Sequence, residues 1–532
     1  MAQVERLGPK AGGVVEQVEN PKVMTKTQAV LPPVAGQFEL YRPPTAGRKP
    51  VVSRTLIGTR CRWRNEFHSI AITMVFIAIG ARCAAGSAAF TLTNTALPAV
   101  GYSSVLCGDF NNDGKADVLL TGSGSLFTPL CQLWHNQTNG LFTNLNVAFP
   151  GVSSSAVACG DMENDGRIDL ILTGFGGVDV NNSPIYLSQV WHNLGNGNFT
   201  KLQTSLPGID TGAVALGDFY HEGNLDILLT GYSATGAVAQ VWRNLGNGIF
   251  TNMNAGLPGV LYSSVALGDY ENDGNLDILL TGTTNGFGDA AITQLWRNLG
   301  NGTFTNVSMD LPGVTQGAVA WGDFNQDGRL DILLTGYTQT GAVCQVWRNL
   351  GNGAFTNMNA GLPGIYQSSV ALADYDNDGK LDIVIAGLNS QDQPICQVWR
   401  NTGNWVFTNI NAGLTGVYSG SAAWADFDRD GRLDLLLSGL NAAGNPTMEV
   451  YHNNTASTNA FVPQIIGLKT LANHGRQFSF SGPPGFSYTV WASTNLRQWT
   501  GLGIANEEGA AVFQFTDPAA NADQRFYRVS RP

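Results

Sequence analysis

Basic residues are sparse in this chain. Its 29 lysines and arginines are spread over 532 positions, with no basic stripe that would follow a nucleic-acid backbone. No Ser/His/Asp or Cys/His set stands out, and no glycine-rich loop opens a helix, so nothing announces nucleophilic catalysis or a phosphate cradle. The apolar run at 70–81 is short for a membrane span. It follows Arg60, Arg62 and Arg64 and precedes the small residues at 84–89, the order of a secretory signal peptide. Its distance from Met1 leaves two readings, a true start downstream of Met1 with cleavage within 84–89, or a signal-anchor. The stretch 1–67 has no periodicity and is expected to be unstructured or a mis-assigned extension; 68–89 is the signal.

Of seven cysteines, five would survive cleavage. Cys107 and Cys159 share one repeat position, and Cys131, Cys344 and Cys396 share another that is filled elsewhere by Ala, Thr or Ser. They read as small core residues; a disulfide between neighbouring repeats is not deducible.

What the chain has in abundance is glycine, 65 residues, and a net charge of −11. Both trace to one stretch written seven times. Its frame is Asp-x-(Asp/Asn/Glu)-x-Asp-Gly-x-x-Asp, followed by an aliphatic run. The copies offer Asp109, Asn111, Asp113 and Asp117; Asp161, Glu163, Asp165 and Asp169; Asp218, Glu222 and Asp226; and Asp269, Glu271, Asp273 and Asp277. Three more offer Asp323, Asn325, Asp327 and Asp331; Asp374, Asp376, Asp378 and Asp382; and Asp426, Asp428, Asp430 and Asp434. Of the 40 acidic residues, 25 lie in these frames, and seven divalent ions would bring the formal charge to about +3.

Oxygen ligands at alternate positions of a tight loop converge on one hard cation, with glycine permitting the turn. A carbonyl at the seventh position and the carboxylate at the ninth complete a set that suits Ca²⁺. Without a cation, so many carboxylates repel; the plain alternative is an Asx-rich turn. An EF-hand is rejected, because the twelfth residue is aliphatic (Leu120, Leu280, Leu334) and the flanks read as strands. The third copy has Tyr220 at the third position and Glu222 at the fifth, so its site is expected to be weak or empty.

The first aspartates recur every 51–57 residues from 109 to 426, a period that points to propellers or solenoids. Each unit reads as four strands. Strand A carries the SSVALGDF type of run, B the LDILLTG type, C the QVWRN type and D, after a Gly-Asn-Gly turn, FTN. The last unit lacks an FTN strand, and Phe90-Thr91-Leu92-Thr93 precedes the first. A first strand completing the last unit would remove both open edges. The predicted fold is therefore all-β, a seven-bladed β-propeller over 90–454 closed by its N-terminal strand, with a small sandwich-like β module over 455–532.

The array resembles the FG-GAP/VCBS repeat family of calcium-binding propeller repeats, found in integrin α-subunits and many secreted bacterial proteins. The resemblance rests on GDYENDGNLDILLTG, GDFNNDGKADVLLTG and ADFDRDGRLDLLLSG. It implies calcium in the A–B loops. The tail's likeness to short C-terminal β-modules of secreted bacterial proteins is loose.

One aromatic per repeat (Trp134, Trp191, Trp242, Trp296, Trp347, Trp399 and Tyr451) suggests sugar stacking, but a fixed strand position fits packing between blades better. The residue after it, His135, His192 or His452 and otherwise Arg, is expected on the solvated face. The B–C loops vary most, and variable loops on a rigid scaffold commonly carry specificity. Phe127, Phe175, Asp179, Tyr186, Phe287 and Asp289 are the candidate partner contacts, with ordinary loop drift as the alternative. The expected function is extracellular binding or adhesion toward a glycan, matrix polymer or protein, without nucleic acid and without enzymatic activity. The alternatives are a polysaccharide lyase or hydrolase, or a structural spacer.

Overall fold

The computed structural model describes residues 89–138, 141–285, 290–455 and six shorter strand-bearing segments between 465 and 530. All belong to one compact unit, Arg82–Pro532. The predicted extension and most of the predicted signal, together with Phe287 and Asp289, lie outside the described residues.

The fold is all-β, and among the described residues its only helical element is a 3-10 turn at Ser125–Phe127. The fourth unit illustrates the repeat, with strands Leu261–Gly268, Asp277–Thr283, Ala291–Asn298 and Phe304–Val307 paired antiparallel in chain order. The repeat region holds three four-stranded sheets and two eight-stranded ones. Each eight-stranded sheet joins two units through a single residue pair, Ile209 with Leu187 or Val343 with Ile365. The tail, described separately, has a four-stranded and a three-stranded sheet, with Phe478, Phe480, Tyr488, Val490 and Phe513 in its core.

Strand B is aliphatic without alternation because both of its faces are covered. Ile278 and Leu280 pack with Leu228 and Val241 of the third unit, whereas Leu279 packs with Val319 and Ile332 of the fifth. All three are fully buried. The glycine closing the LLTG run is needed for close approach. At Gly122, φ is +145°, and a Cβ would lie 2.7 Å from the Gly101 carbonyl oxygen. Strand A bulges opposite it, with Tyr102, Ser154, Thr211, Tyr262, Gln316, Gln367 and Ser419 all at positive φ.

Neighbouring units are latched at the same place each time. The residue just before or at the start of strand A bridges to strand C of the unit before it: Val152 to Leu130, Val260 to Val238, Val314 to Ile292 and Val417 to Ile395. Val100, in the first unit, bridges to Thr447 in the last. The first strand, Phe90–Thr93, pairs antiparallel with Pro446–Asn453, in the register Phe90 to Asn453. The side chain at the second loop position is a knob in the next unit's core. Phe219 meets Phe304, Phe324 meets Phe407, and Phe427 meets Phe142, each edge-on at 5.4–5.7 Å.

Candidate metal loops and the face opposite them

Every A–B loop is built by the same hydrogen bonds. The first Asp accepts from the backbone N–H groups at the fifth and sixth positions, as Asp269 does from Asp273 at 3.0 Å and Gly274 at 2.8 Å. The fourth residue adopts positive φ, between 56° and 63° in all seven copies. Asn tolerates this region best, and Asn fills it in four of them. The ninth Asp is fully enclosed in most copies and holds two strands together. Asp277 accepts from the Tyr270 N–H at 3.2 Å and the Asn298 N–H at 2.8 Å.

The sequence expected that aspartate only as a ligand. The fold makes it a staple between loop and strand C as well. The asparagine of strand C, two residues after the aromatic in all seven copies, is a further staple that the sequence reading did not include. Its side chain donates to the second-position carbonyl of the preceding loop, as Asn298 does to Phe219 at 3.0 Å and Asn193 to Phe110 at 2.8 Å. The fourth-position side chain reaches the other way. Asn164 donates to the Gly223 carbonyl at 3.0 Å, Asn272 to Gly328 at 3.0 Å, and Arg429 to Gly114.

These loops hold negative charge against its own repulsion. Burial, aggravated by facing carboxylates, pushes Asp382 up to about 8 and Asp277 and Asp426 up to about 7. The side chains fit a hard cation best in the last two copies. One carboxylate oxygen from each of Asp374, Asp376 and Asp382 lies within 4.8 Å of the others, and the same holds for Asp426, Asp428 and Asp434. All-oxygen sets of this kind suit Ca²⁺ or Mg²⁺.

The third and fifth side chains are also held by cations, in the sixth copy by Arg400, which pairs with Asp376 at 2.6 Å and Asp378 at 2.9 Å. Arg297 holds Glu271 and Asp273, and Arg243 holds Glu222 while lying 4.5 Å over the Tyr220 ring. The expectation that the residue after the strand-C aromatic is merely solvated is therefore corrected. Strand alternation does turn it away from the aromatic, but that direction leads onto the acidic loop, and His135, His192 and His452 each contact the ninth Asp.

The strand-C aromatics pack in the cores between units. Five of the indole N–H groups donate to the glutamine two residues earlier, Trp134 to Gln132 and Trp347 to Gln345 among them. The five cysteines of the repeat region are free thiols, three of them buried. Burial pushes Cys107 up to about 12.

At the opposite ends of the strands, Phe127 is 74% exposed, at positive φ. Phe175 pairs across strands with Tyr186, and Asp179 is exposed but accepts from Asn181 and Ser183, both at 2.8 Å, as a turn former. Tyr186 meets Tyr232 edge-on at 6.0 Å. Residues missed in the sequence gather here. Tyr337 packs on Tyr366 at 5.3 Å, and the Tyr366 hydroxyl donates to Asp392 at 2.7 Å. Burial pushes Asp210 up to about 6, and its charge acts on Tyr186 and Tyr262. Tyr232 and Tyr337 share one place, directly after the LLTG run, a spacing that could have flagged them, whereas Tyr186 and Tyr366 stand on strands C and A of other units.

A family model for the FG-GAP-like repeat matches residues 109–172, 218–280, 283–334, 336–385 and 374–437. Cartilage acidic protein 1 of Mus musculus is 28% identical over 184 residues, covering 31% of this chain and 27% of that protein. The Homo sapiens protein of the same name is 27% identical over 179 residues, with the same coverage. The match thus spans about a quarter of the length of these relatives. Among solved structures, the V. cholerae biofilm matrix protein Bap1 aligns at a TM-score of 0.32 and 14% identity, over 83% of this chain and 72% of that one. A xylan beta-1,4-xylosidase from Bacillus Halodurans aligns at 0.25 and 10%, over 82% and 99%. At these scores neither carries an argument about function. Among the described residues, no helix is long and apolar enough to cross a membrane.

Proposed function

This chain belongs to the FG-GAP-like repeat family, and from that premise we propose that it is an extracellular binding or adhesion protein, a seven-bladed propeller braced by calcium. The ring reading draws on the pairing of Phe90–Thr93 with the last strand and on the latch from Val100 to Thr447. Calcium bound in the A–B loops would neutralise the buried carboxylates and fix each hairpin. The ion's role there is structural. Family membership, the cartilage name of the curated relatives and the signal-like segment at 68–89 support an extracellular setting.

The observation that carries the functional reading is a division of labour between the two ends of the strands. The A–B end repeats the same bonds in every unit and is occupied with holding units together. The other end is irregular and displays tyrosines (Tyr186, Tyr232, Tyr337, Tyr366) among Asp210, Asp392 and the exposed Phe127. Flat aromatic rings beside carboxylates and amides suit a polyhydroxylated partner, stacking on its apolar faces and accepting from its hydroxyls. A glycan or matrix polymer is the preferred ligand class, ahead of a protein.

Binding is preferred to catalysis because Asp210, raised to about 6 by burial, has no second carboxylate among the groups acting on it. Glycoside cleavage uses two carboxyl groups set across the bond. A polysaccharide array probed in calcium tests the reading. Retention on specific polymers, lost in the Tyr186→Ala and Tyr232→Ala variants at unchanged melting temperature, is expected. Release of shortened products would establish an enzyme instead, and no retention on any polymer would leave a protein partner or the spacer alternative.

A further inference from the structure

We propose that the first residue of each strand-A bulge is a ligand-contacting position of the binding face, and that the glycan it takes is uncharged. The inference rests on the ring and glycan readings above, to which it adds the contact positions and the ligand class. The positions are Tyr102, Ser154, Thr211, Tyr262, Gln316, Gln367 and Ser419, one per unit, all with φ between 44° and 52°.

That backbone region disfavours L side chains, β-branched and aromatic ones most of all, whereas glycine enters it freely. Glycine is available to these bulges, but one residue too late to relieve them. Gly212, Gly317 and Gly420 stand at the second bulge residue, outside the positive-φ range, where a Cβ would overlap the carbonyl of Thr230, Thr335 or Ser438. In the other four units the second residue is serine, and a strand-B hydroxyl takes it up. Ser155 meets Thr121 at 2.7 Å, Ser263 meets Thr230 at 2.8 Å, Ser368 meets Thr335 at 2.8 Å, and Ser103 meets Ser438 of the last unit at 2.9 Å. Packing between units thus accounts for the second residue. It does not account for a side chain held at positive φ in the first.

What the seven first residues share is chemistry. Each carries a hydroxyl or a carboxamide; none is charged, aliphatic or glycine. All are half-buried and so within reach of solvent. They also stand side by side. Strand A of each unit packs beside strand A of the next, and that of the first unit beside that of the last. The Gln316 N–H donates to the Tyr262 carbonyl at 3.2 Å, and the Ser419 hydroxyl donates to Gln367 Oε1 at 2.9 Å. Backbone strain maintained in every repeat for the sake of a polar side chain is the mark of a working position.

Charge narrows the ligand. Every lysine, arginine and histidine between 90 and 454 lies in an A–B loop, on strand C or, as Lys201, on strand D. The B–C loops and the connections from D to A hold none, while Asp179, Asp210 and Asp392 stand at that end. A uronate or sulfated polymer arriving there would meet carboxylates and no cation to answer its own charge. Hydroxyls and carboxamides, which both donate and accept, match the hydroxyls of a neutral sugar.

The test is retention of the full chain, in calcium, on immobilised polymers, with melting curves alongside. Glucan, galactan and mannan serve as neutral probes, polygalacturonate as an acidic one and chitosan as a cationic one. Retention on a neutral polymer is expected. Thr211→Gly and Gln316→Gly each remove a contact and release strain, so each should weaken retention about fivefold while the melting temperature holds or rises. Ser263→Ala, at the second bulge residue, should lower the melting temperature and leave retention unchanged. Melting below the unaltered protein in both glycine variants would make the first residue structural and overturn the inference. Equal retention of all variants on a neutral polymer overturns it too, as does retention confined to polygalacturonate or chitosan; these outcomes leave the glycan reading standing. No retention on any of these polymers overturns the inference and the glycan reading together.

Discussion

Asn136 and Phe427 stand 291 residues apart, yet the Asn136 side-chain nitrogen donates to the Phe427 carbonyl at 2.8 Å. Asn453 does the same for Tyr375 at 2.8 Å within the ordinary succession of units. The bond between the first unit and the last is thus the bond between any two neighbours. Asn136→Ala would leave a buried carbonyl without its donor, at about 1–3 kcal/mol. Asn298→Ala breaks the equivalent bond in mid-array. Equal losses in urea unfolding are expected for a ring, whereas a negligible loss at Asn136 alone would indicate two frayed ends.

Calcium should raise the melting temperature, and chelator should lower it. An ion that binds only the folded loops adds about 2.7 kcal/mol per site at a hundred times its dissociation constant. Differential scanning calorimetry in the two conditions checks this, and coincident melts would speak for acids that only form turns.

The metal-free protein should lose stability as pH rises from about 5 to about 8. Asp226, Asp277 and Asp426 are pushed up to about 7 and Asp382 up to about 8, each chiefly by burial. Between the usual carboxylate value and these raised ones, the folded state holds more protons than the unfolded chain. The slope of unfolding free energy against pH is therefore negative. Calcium should flatten that slope by stabilising the ionised form. Chelator melts across this pH range, repeated with calcium, measure both.

The fifth and ninth positions should separate metal binding from hairpin stapling. Asp273 is partly exposed and accepts a backbone bond from Asn275 at 2.9 Å; Asp273→Asn should weaken calcium binding and leave the chelator melt nearly unchanged. Asp277 accepts from both Tyr270 and Asn298 and is fully buried. Asp277→Ala should cost about 1–3 kcal/mol for each donor stranded, with or without calcium. Equal chelator melts for the two variants would contradict the stapling role.

Gly122→Ala should be costly where Gly274→Ala is mild. Both have positive φ, but a Cβ at Gly122 meets the Gly101 carbonyl and the Ser103 side chain within 2.8 Å, whereas Gly274 faces open space. Positive φ costs an L-residue about 1–2 kcal/mol; only Gly122 adds a clash to it. Chemical denaturation of the two variants should separate them clearly.

By itself, the sequence determined the strand order of a unit, the acidic loop between A and B, the aromatic on C and the partner of Phe90–Thr93 in the last unit. These are local facts, set by turn residues, by alternation and by a frame repeated seven times. Even the double burial of strand B was written in Ile278, Leu279 and Leu280, which show no alternation.

Only the tertiary structure decided what the polar residues that recur in each repeat do between units. The Asn298 amide, the Asp277 carboxylate and the Arg297 guanidinium belong to one repeat by spacing, but their partners come from a preceding loop, a neighbouring strand or the acids across a hairpin. Likewise Tyr186 and Tyr232, 46 positions apart in different units, meet because Leu187 pairs with Ile209 across the join of the two units and Tyr232 pairs with Asp210 beside it. Spacing along a chain fixes which side of a strand a residue takes. It carries no information on which charge or ring the packing of neighbours will set against it.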